Sequence, residues 1–181
     1  MKVETTAIPD VLLITPQVFH DARGFFFESY HQVSFAKMTG LNPRFVQDNH
    51  SRSQKNVLRG LHYQIGKPQG KLVRALVGVI QDVAVDLRRS SPTFGKWVSN
   101  ILSAKNCQQI WIPAGFAHGF VVLSDFAEIA YKATDYYDPQ EERCLLWNDP
   151  DIAIAWQLDE SPILSNKDAV GKSLKEAELF V

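Results

Sequence analysis

The chain has 181 residues, of which 45% are hydrophobic and 22% charged, with a net charge of −1, four Trp, five Tyr and eleven Phe. This length fits one domain spanning residues 1–181 with a full core, and the composition excludes disordered, collagen-like and coiled-coil chains. No apolar run approaches ~18 residues and no signal-peptide pattern opens the chain, while the near-neutral charge argues against a general nucleic-acid or membrane binder.

The expected compartment is the cytoplasm, where Cys107 and Cys144, in no CxxC or Cys/His pattern, read as reduced thiols. Charge is distributed unevenly. Residues 1–90 carry 12 Lys/Arg against 7 Asp/Glu, and residues 91–181 carry 7 against 13. Most of the basic excess lies between Arg23 and Arg74 among Phe, Tyr, His and Gln. That pattern suits either a solvated face or a pocket for an anionic small molecule.

Period-2 alternation dominates the chain. A short helix over Tyr30 to Met38, stopped by Gly40, is the first helical signal. Leu58 to Gln64 reads as a strand, and Leu72 to Ile80 as a longer strand with a bend at Gly78. Asp82-Val83-Ala84-Val85-Asp86-Leu87-Arg88 alternates strictly, with Val83, Val85 and Leu87 on one face. Further strands are expected at Gln108 to Ile112, Gly119 to Leu123 and Glu128 to Thr134, separated by turn residues. Ser173-Leu174-Lys175-Glu176 is a capping box ahead of a short C-terminal helix. Many short strands with turns every ~8–12 residues give an all-β fold, with a jelly-roll barrel suiting this length.

Four clusters can carry chemistry. In Leu58-Arg59-Gly60-Leu61-His62-Tyr63-Gln64, pleating puts Gly60, His62 and Gln64 on one face and Leu61 and Tyr63 on the other. Arg59 then belongs opposite His62, so the two share a site only if the chain deviates near Gly60, where a bulge is cheap. On its own, His62 reads equally as a hydrogen-bonded core histidine. Pro113-Ala114-Gly115-Phe116-Ala117-His118 makes a tight turn returning a His to a strand, and it resembles the second motif of the cupins. Metal-binding cupins carry an H-x-H in their first motif. Here that stretch reads His62-Tyr63-Gln64, so no metal is expected. Tyr131 shares a strand face with Ile129 and Ala133 and should point inward, where its hydroxyl needs a partner or a role. Asp168, in Leu164-Ser165-Asn166-Lys167-Asp168, reads by default as a loop residue.

Taken together with Asp21-Ala22-Arg23-Gly24-Phe25-Phe26, Gln47-Asp48-Asn49, Gln69-Gly70-Lys71-Leu72-Val73-Arg74, Ser91-Pro92-Thr93-Phe94-Gly95 and Trp147-Asn148-Asp149-Pro150, these clusters resemble the dTDP-4-dehydrorhamnose 3,5-epimerase family over nearly the whole chain. The resemblance implies a cupin-type jelly-roll β-barrel with a few short helices. It also implies cofactor-independent epimerisation of a dTDP-4-keto-6-deoxysugar at carbons 3 and 5, in a homodimer whose N-terminal residues reach the partner's site. Carried over residue by residue, the general base falls on His62, its orienting carboxylate on Asp168, the proton donor on Tyr131, and a cation for the carbon-4 oxygen on Lys71. Arg23, Glu28, Gln47, Asn49, Arg59, His118, Glu142 and Lys167 match positions that hold the nucleotide, diphosphate or sugar. Phe26 is the ring considered for stacking on thymine. Cys144-Leu145-Leu146, before Trp147, departs from a usually more polar stretch.

The residue types suit the reaction. Protons on carbons 3 and 5 of a 4-keto sugar are acidic because their loss gives an enolate, so a base, an opposed acid and a cation suffice. Histidine titrates near neutrality, tyrosine stays protonated there, and arginines suit a diphosphate through paired hydrogen bonds. The rivals are a 3-epimerase, 5-epimerase or ketoisomerase on a related sugar, a metal-dependent cupin, and a non-catalytic sugar-binding cupin. The joint presence of His62, Asp168 and Tyr131 weighs against the last.

Overall fold

The computed structural model describes residues 1–181. Its first strands are β1 (Lys2–Thr5), β2 (Leu12–Thr15), β3 (Phe19–Asp21), β4 (Gly24–Phe26), β5 (Gln47–Gln54), β6 (Leu58–Gln64), β7 (Lys71–Val77) and β8 (Val79–Asp86). They are followed by β9 (Trp97–Ser103), β10 (Gln109–Ile112), β11 (Phe116–Val122), β12 (Phe126–Ala133) and β13 (Glu142–Cys144), with helices α1 (Gln32–Thr39) and α2 (Asn166–Ala169). Neither helix is long and apolar enough to cross a membrane.

An antiparallel sheet in the order β1-β2-β10-β7-β12-β5 faces a second in the order β13-β6-β11-β8-β9, and β3 and β4 form a separate hairpin. This is the all-β jelly roll expected from the alternation. The alternating strand β8 explains how the layers assemble. Ile80 and Ala84 face the core between the sheets, with Val73, Ile110 and Ile129 supplied by the six-stranded sheet. Val83, Val85 and Leu87 share a face, as expected, but it is the outer one. There they pack under Leu145, Ile152 and Ala177 of the C-terminal third. Each fully buried aliphatic side chain of this kind contributes roughly 1.5–3 kcal/mol. The same parity leaves Asp82 and Asp86 pointing inward with Ile80 and Ala84.

Three expectations are refined. The Leu72 to Ile80 run is two strands in different sheets rather than one bent strand. Gly78 is the corner, with φ +75° and Phe126 O only 2.2 Å from where a Cβ would sit. The helix over Tyr30 to Met38 forms as α1 and ends at Gly40, where buried Phe35 packs edge-on against Trp111. The C-terminal helix does not form. Ser173 Oγ donates to Glu176 Oε2 at 2.8 Å, but only one turn closes, because Phe180 is drawn into extended pairing with the end of β8. Its N–H donates to Leu87 O at 3.2 Å, and its carbonyl accepts from Arg89 N at 2.9 Å. A helix appears instead in the expected loop at Asn166–Ala169, and it carries Asp168.

Candidate active site

A cavity of about 250 Å³ opens between the two sheets, and Asn49, Arg59, His62, Lys71, His118, Tyr131, Tyr137 and Glu142 line it. Its first side chains depend on an irregularity in β6. His118 of β11 pairs with His62 while Phe120 pairs with Arg59. Three steps along β6 therefore match two along β11, and the extra residue is a bulge at Gly60-Leu61. The deviation expected near Gly60 thus brings Arg59 and His62 to one cavity. Gly60 has φ +115°, and a Cβ on it would lie 2.7 Å from Gly119 Cα, so only glycine fits against the neighbouring strand. Leu61 and Tyr63 turn to the outer face and pack beneath the C-terminal segment.

His62 Nε2 and Asp168 Oδ1 are 2.5 Å apart. Asp168 is 3% exposed and sits in α2, where Ser165 clamps it from two directions. Ser165 Oγ accepts from Asp168 N at 3.2 Å and donates to Asp168 Oδ2 at 2.8 Å. Burial pushes the Asp168 carboxyl up, but the hydrogen bond and charge of His62, the Ser165 hydroxyl and Lys167 together hold it below its ordinary value. The Cys144 thiol, 3.8 Å away, also donates to Oδ1. Burial, followed by the Asp168 charge, pushes that thiol up to about 12.

Lys71, on β7 of the opposing sheet, is 8% exposed, and its amine donates to His62 O at 3.5 Å. Burial lowers its pKa to about 8, with Asp82 and Glu142 pulling the other way. Across the floor, His118 Nε2 lies 2.8 Å from Asp82 Oδ2, and buried Asp82 Oδ1 has no partner. Tyr131, on β12, packs against the core and reaches the cavity, as its strand parity predicts. Burial and then Glu142 raise its pKa, so the phenol stays protonated. Glu142 accepts from Lys167 Nζ at 2.8 Å and from the Tyr137 hydroxyl at 2.9 Å. Burial raises its carboxyl, and those two hydrogen bonds outweigh that and lower it.

Gln64, where a metal-binding cupin has its second His, is saturated. Its amide donates to Lys67 O and Tyr136 O, and its carbonyl accepts from Asp138 N. It therefore anchors the loop carrying Tyr137, and the cupin ligand set is not assembled. Gln47 supports the same loop, its Oε1 accepting from Tyr137 N and its Nε2 donating to Asn49 Oδ1.

Arg23, Phe26 and Glu28 do not enter the cavity of their own chain. All three are exposed on or just after the β3–β4 hairpin. Lys167 is an exposed residue tied to Glu142. The sequence reading missed Tyr137, Asp82 and Ser165. Asp82 was detectable as a charge at inward parity on β8, and Ser165 as a helix-capping residue three positions before Asp168.

A family model described as dTDP-4-dehydrorhamnose 3,5-epimerase matches residues 5–176. A Pseudomonas aeruginosa protein of that name is 61% identical over 180 residues, covering 99% of each chain. Its Salmonella typhimurium namesake is 59% identical, covering 99% of this chain and 98% of that one. The crystal structure of a dTDP-6-deoxy-D-glucose-3,5-epimerase from Legionella pneumophila in complex with dTDP-4-keto-L-rhamnose has a TM-score of 0.94 and 53% identity. The match covers 96% of this chain and 93% of that one. The cupin-type jelly roll and the near-complete matches in sequence and structure agree, and the chain belongs to the dTDP-4-dehydrorhamnose 3,5-epimerase family.

Proposed function

We propose that this chain epimerises dTDP-4-dehydro-6-deoxy-D-glucose at carbons 3 and 5, giving dTDP-4-dehydro-L-rhamnose, in the cavity between its sheets. The observation that carries the reading is that His62 and Tyr131 enter one cavity from opposing sheets. A pyranose ring seated there has a base on one face and an acid on the other.

His62 abstracts the proton next to the carbonyl. With Nε2 held by Asp168, Nδ1 is the basic nitrogen, and the carboxylate stabilises the imidazolium that forms. The electron pair moves onto the carbon-4 oxygen as an enolate, and the Lys71 ammonium stabilises that charge in a water-poor site. Tyr131 returns a proton from the opposite face, inverting the centre. The same cycle at the second carbon completes the reaction. Every step is redox-neutral proton transfer, so these side chains suffice. The high identity to relatives named 3,5-epimerases favours double inversion over the single-epimerase rivals.

The nucleotide reads onto the rim. Arg59 and Lys167 are cations suited to the diphosphate, and Tyr137, an exposed ring bordering the cavity, is one on which thymine can stack where Phe26 of the same chain does not reach. Cross-strand partners Phe19 and Phe26 are 54% and 67% exposed on one face of the β3–β4 hairpin, and Phe25 is 63% exposed on the other, exposure of the kind that marks an interaction surface. A homodimer that carries this hairpin, with Arg23 and Glu28, to the partner's cavity accounts for that exposure. Sedimentation at micromolar concentration should give a dimer, and a fully active monomer would contradict it. The reaction itself is tested by NMR of the product from dTDP-4-keto-6-deoxyglucose. Wild type should yield the doubly inverted sugar. His62→Ala should yield none while keeping its fold, and near-normal turnover by that variant would overturn the assignment.

A further inference from the structure

We propose that His62, Cys144 and Asp168 form a binding site for one soft divalent cation of the zinc or cadmium class, and that filling it switches off proton abstraction. The site arises from strand pairing. In the β13–β6 ladder Cys144 lies directly opposite His62, so both side chains project to one face, and α2 lays Asp168 over them. The three ligand atoms lie within 4.8 Å of one another. Around a tetrahedral zinc, with bonds of about 2.0–2.3 Å, ligand atoms stand about 3.5 Å apart. The Sγ–Oδ1 separation of 3.8 Å already fits. The 2.5 Å between His62 Nε2 and Asp168 Oδ1 must open by about 1 Å to admit the ion. The His62 side chain is 26% exposed and borders the cavity, which gives it room to move.

Charge and softness point to the same ligand. Thiolate, carboxylate and neutral imidazole balance a divalent charge, and sulfur with nitrogen selects zinc-like ions over magnesium or calcium. Ser165 donates to Asp168 Oδ2, leaving Oδ1 for the ion with its orientation fixed. Lys167, a nearby cation, is already paired with Glu142. On binding, the Cys144 proton leaves to solvent. The ion takes the Nε2 lone pair, so the single imidazole proton moves to Nδ1 and the base is lost. This site shares only His62 with a cupin metal centre and uses neither Gln64 nor His118.

The inhibitory half rests on His62 being the base, whereas the binding half does not. Full-length protein is titrated with cadmium chloride, following the ultraviolet thiolate-to-cadmium band and epimerase rates on the same samples. Wild type and Cys107→Ser should each bind one equivalent and lose activity in parallel. Cys144→Ser should lose the band and need at least tenfold more cadmium for half-inhibition, and His62→Ala should keep the thiol but bind at least tenfold more weakly. No band in wild type, a band surviving in Cys144→Ser, or equal sensitivity of Cys144→Ser and wild type would overturn the proposal. A stoichiometric band without inhibition would overturn its inhibitory half. If the metal-free wild type turns over no substrate, the epimerase reading fails while the band still decides the site.

Discussion

Asp82 and Asp86 lie four residues apart on β8, both inward-facing and both fully buried, yet the protein treats them oppositely. Asp86 accepts five hydrogen bonds, from the Arg88 backbone N–H, two Arg88 guanidinium nitrogens, Ser91 Oγ and Thr93 Oγ1. Burial alone would raise its carboxyl, but Arg88, Ser91 and Thr93 outweigh that and hold it at about 2. Asp82 meets His118 with one oxygen and nothing with the other, beside a buried lysine. A fully bonded buried carboxylate fixes the corner after β8. An incompletely bonded one, next to Lys71, keeps polarity poised for a ligand. One end of the strand is saturated with hydrogen bonds, and the other leaves a buried acceptor unpaired beside residues of the proposed site.

The largest contrast is expected at Lys71. Lys71→Met should cost about 10³-fold in turnover by removing the enolate's cation, yet raise stability. The amine is charged in both folded and unfolded states below pH 8, so the cost of burying that charge is fully present there and methionine removes it. About 3 kcal/mol is expected, or a melting temperature higher by roughly 6–12 °C. Wild-type turnover should also fall as pH rises through about 8, as the folded amine deprotonates. A destabilised Lys71→Met would break the contrast.

Asp86→Asn is the mirror case. Loss of a saturated buried anion should cost about 3 kcal/mol and lower melting by roughly 6–12 °C, with turnover within about twofold of wild type at temperatures where the variant is folded. Its pH signature follows from the lowered carboxyl. That stabilisation, about 2 kcal/mol, is present above pH 4 and fades as pH falls toward 2. The gap between wild type and Asp86→Asn in urea midpoints should therefore be wide at pH 6 and narrow at pH 2.5. The smallest effect belongs to Asp82→Asn, which keeps an acceptor for His118. Turnover should drop about tenfold with melting shifted by less than roughly 3 °C, measured by steady-state kinetics and calorimetry on one preparation.

How far these features can be read without coordinates depends on their range. The inward parity of Tyr131, the shared face of Val83, Val85 and Leu87, and the bulge needed near Gly60 are consequences of local pleating, and all three hold. Gly78 does not advertise whether it bends one strand or joins two, because apolar residues (Leu76, Val77, Val79, Ile80) continue on both sides of the corner without a break. The opposition of Cys144 and His62 rests on pairing between residues far apart in sequence, which no local period encodes. Asp168 reads locally as a loop residue, and the orienting role expected of it rests on the family resemblance. Its place against His62 depends on a four-residue helix too short to leave a periodic signal.

The proposed inversion requires His62 and Tyr131 acting from opposite sheets. The most direct test is to incubate Tyr131→Phe with dTDP-4-keto-6-deoxyglucose in deuterated water and locate label at carbons 3 and 5 by NMR and mass spectrometry. Wild type should label both carbons and invert both. The variant, still binding dTDP, should exchange at least one proton through His62 yet form little doubly inverted product. Doubly inverted sugar at the wild-type rate would show that Tyr131 is not the donor, and loss of both exchange and dTDP binding would make it a structural tyrosine.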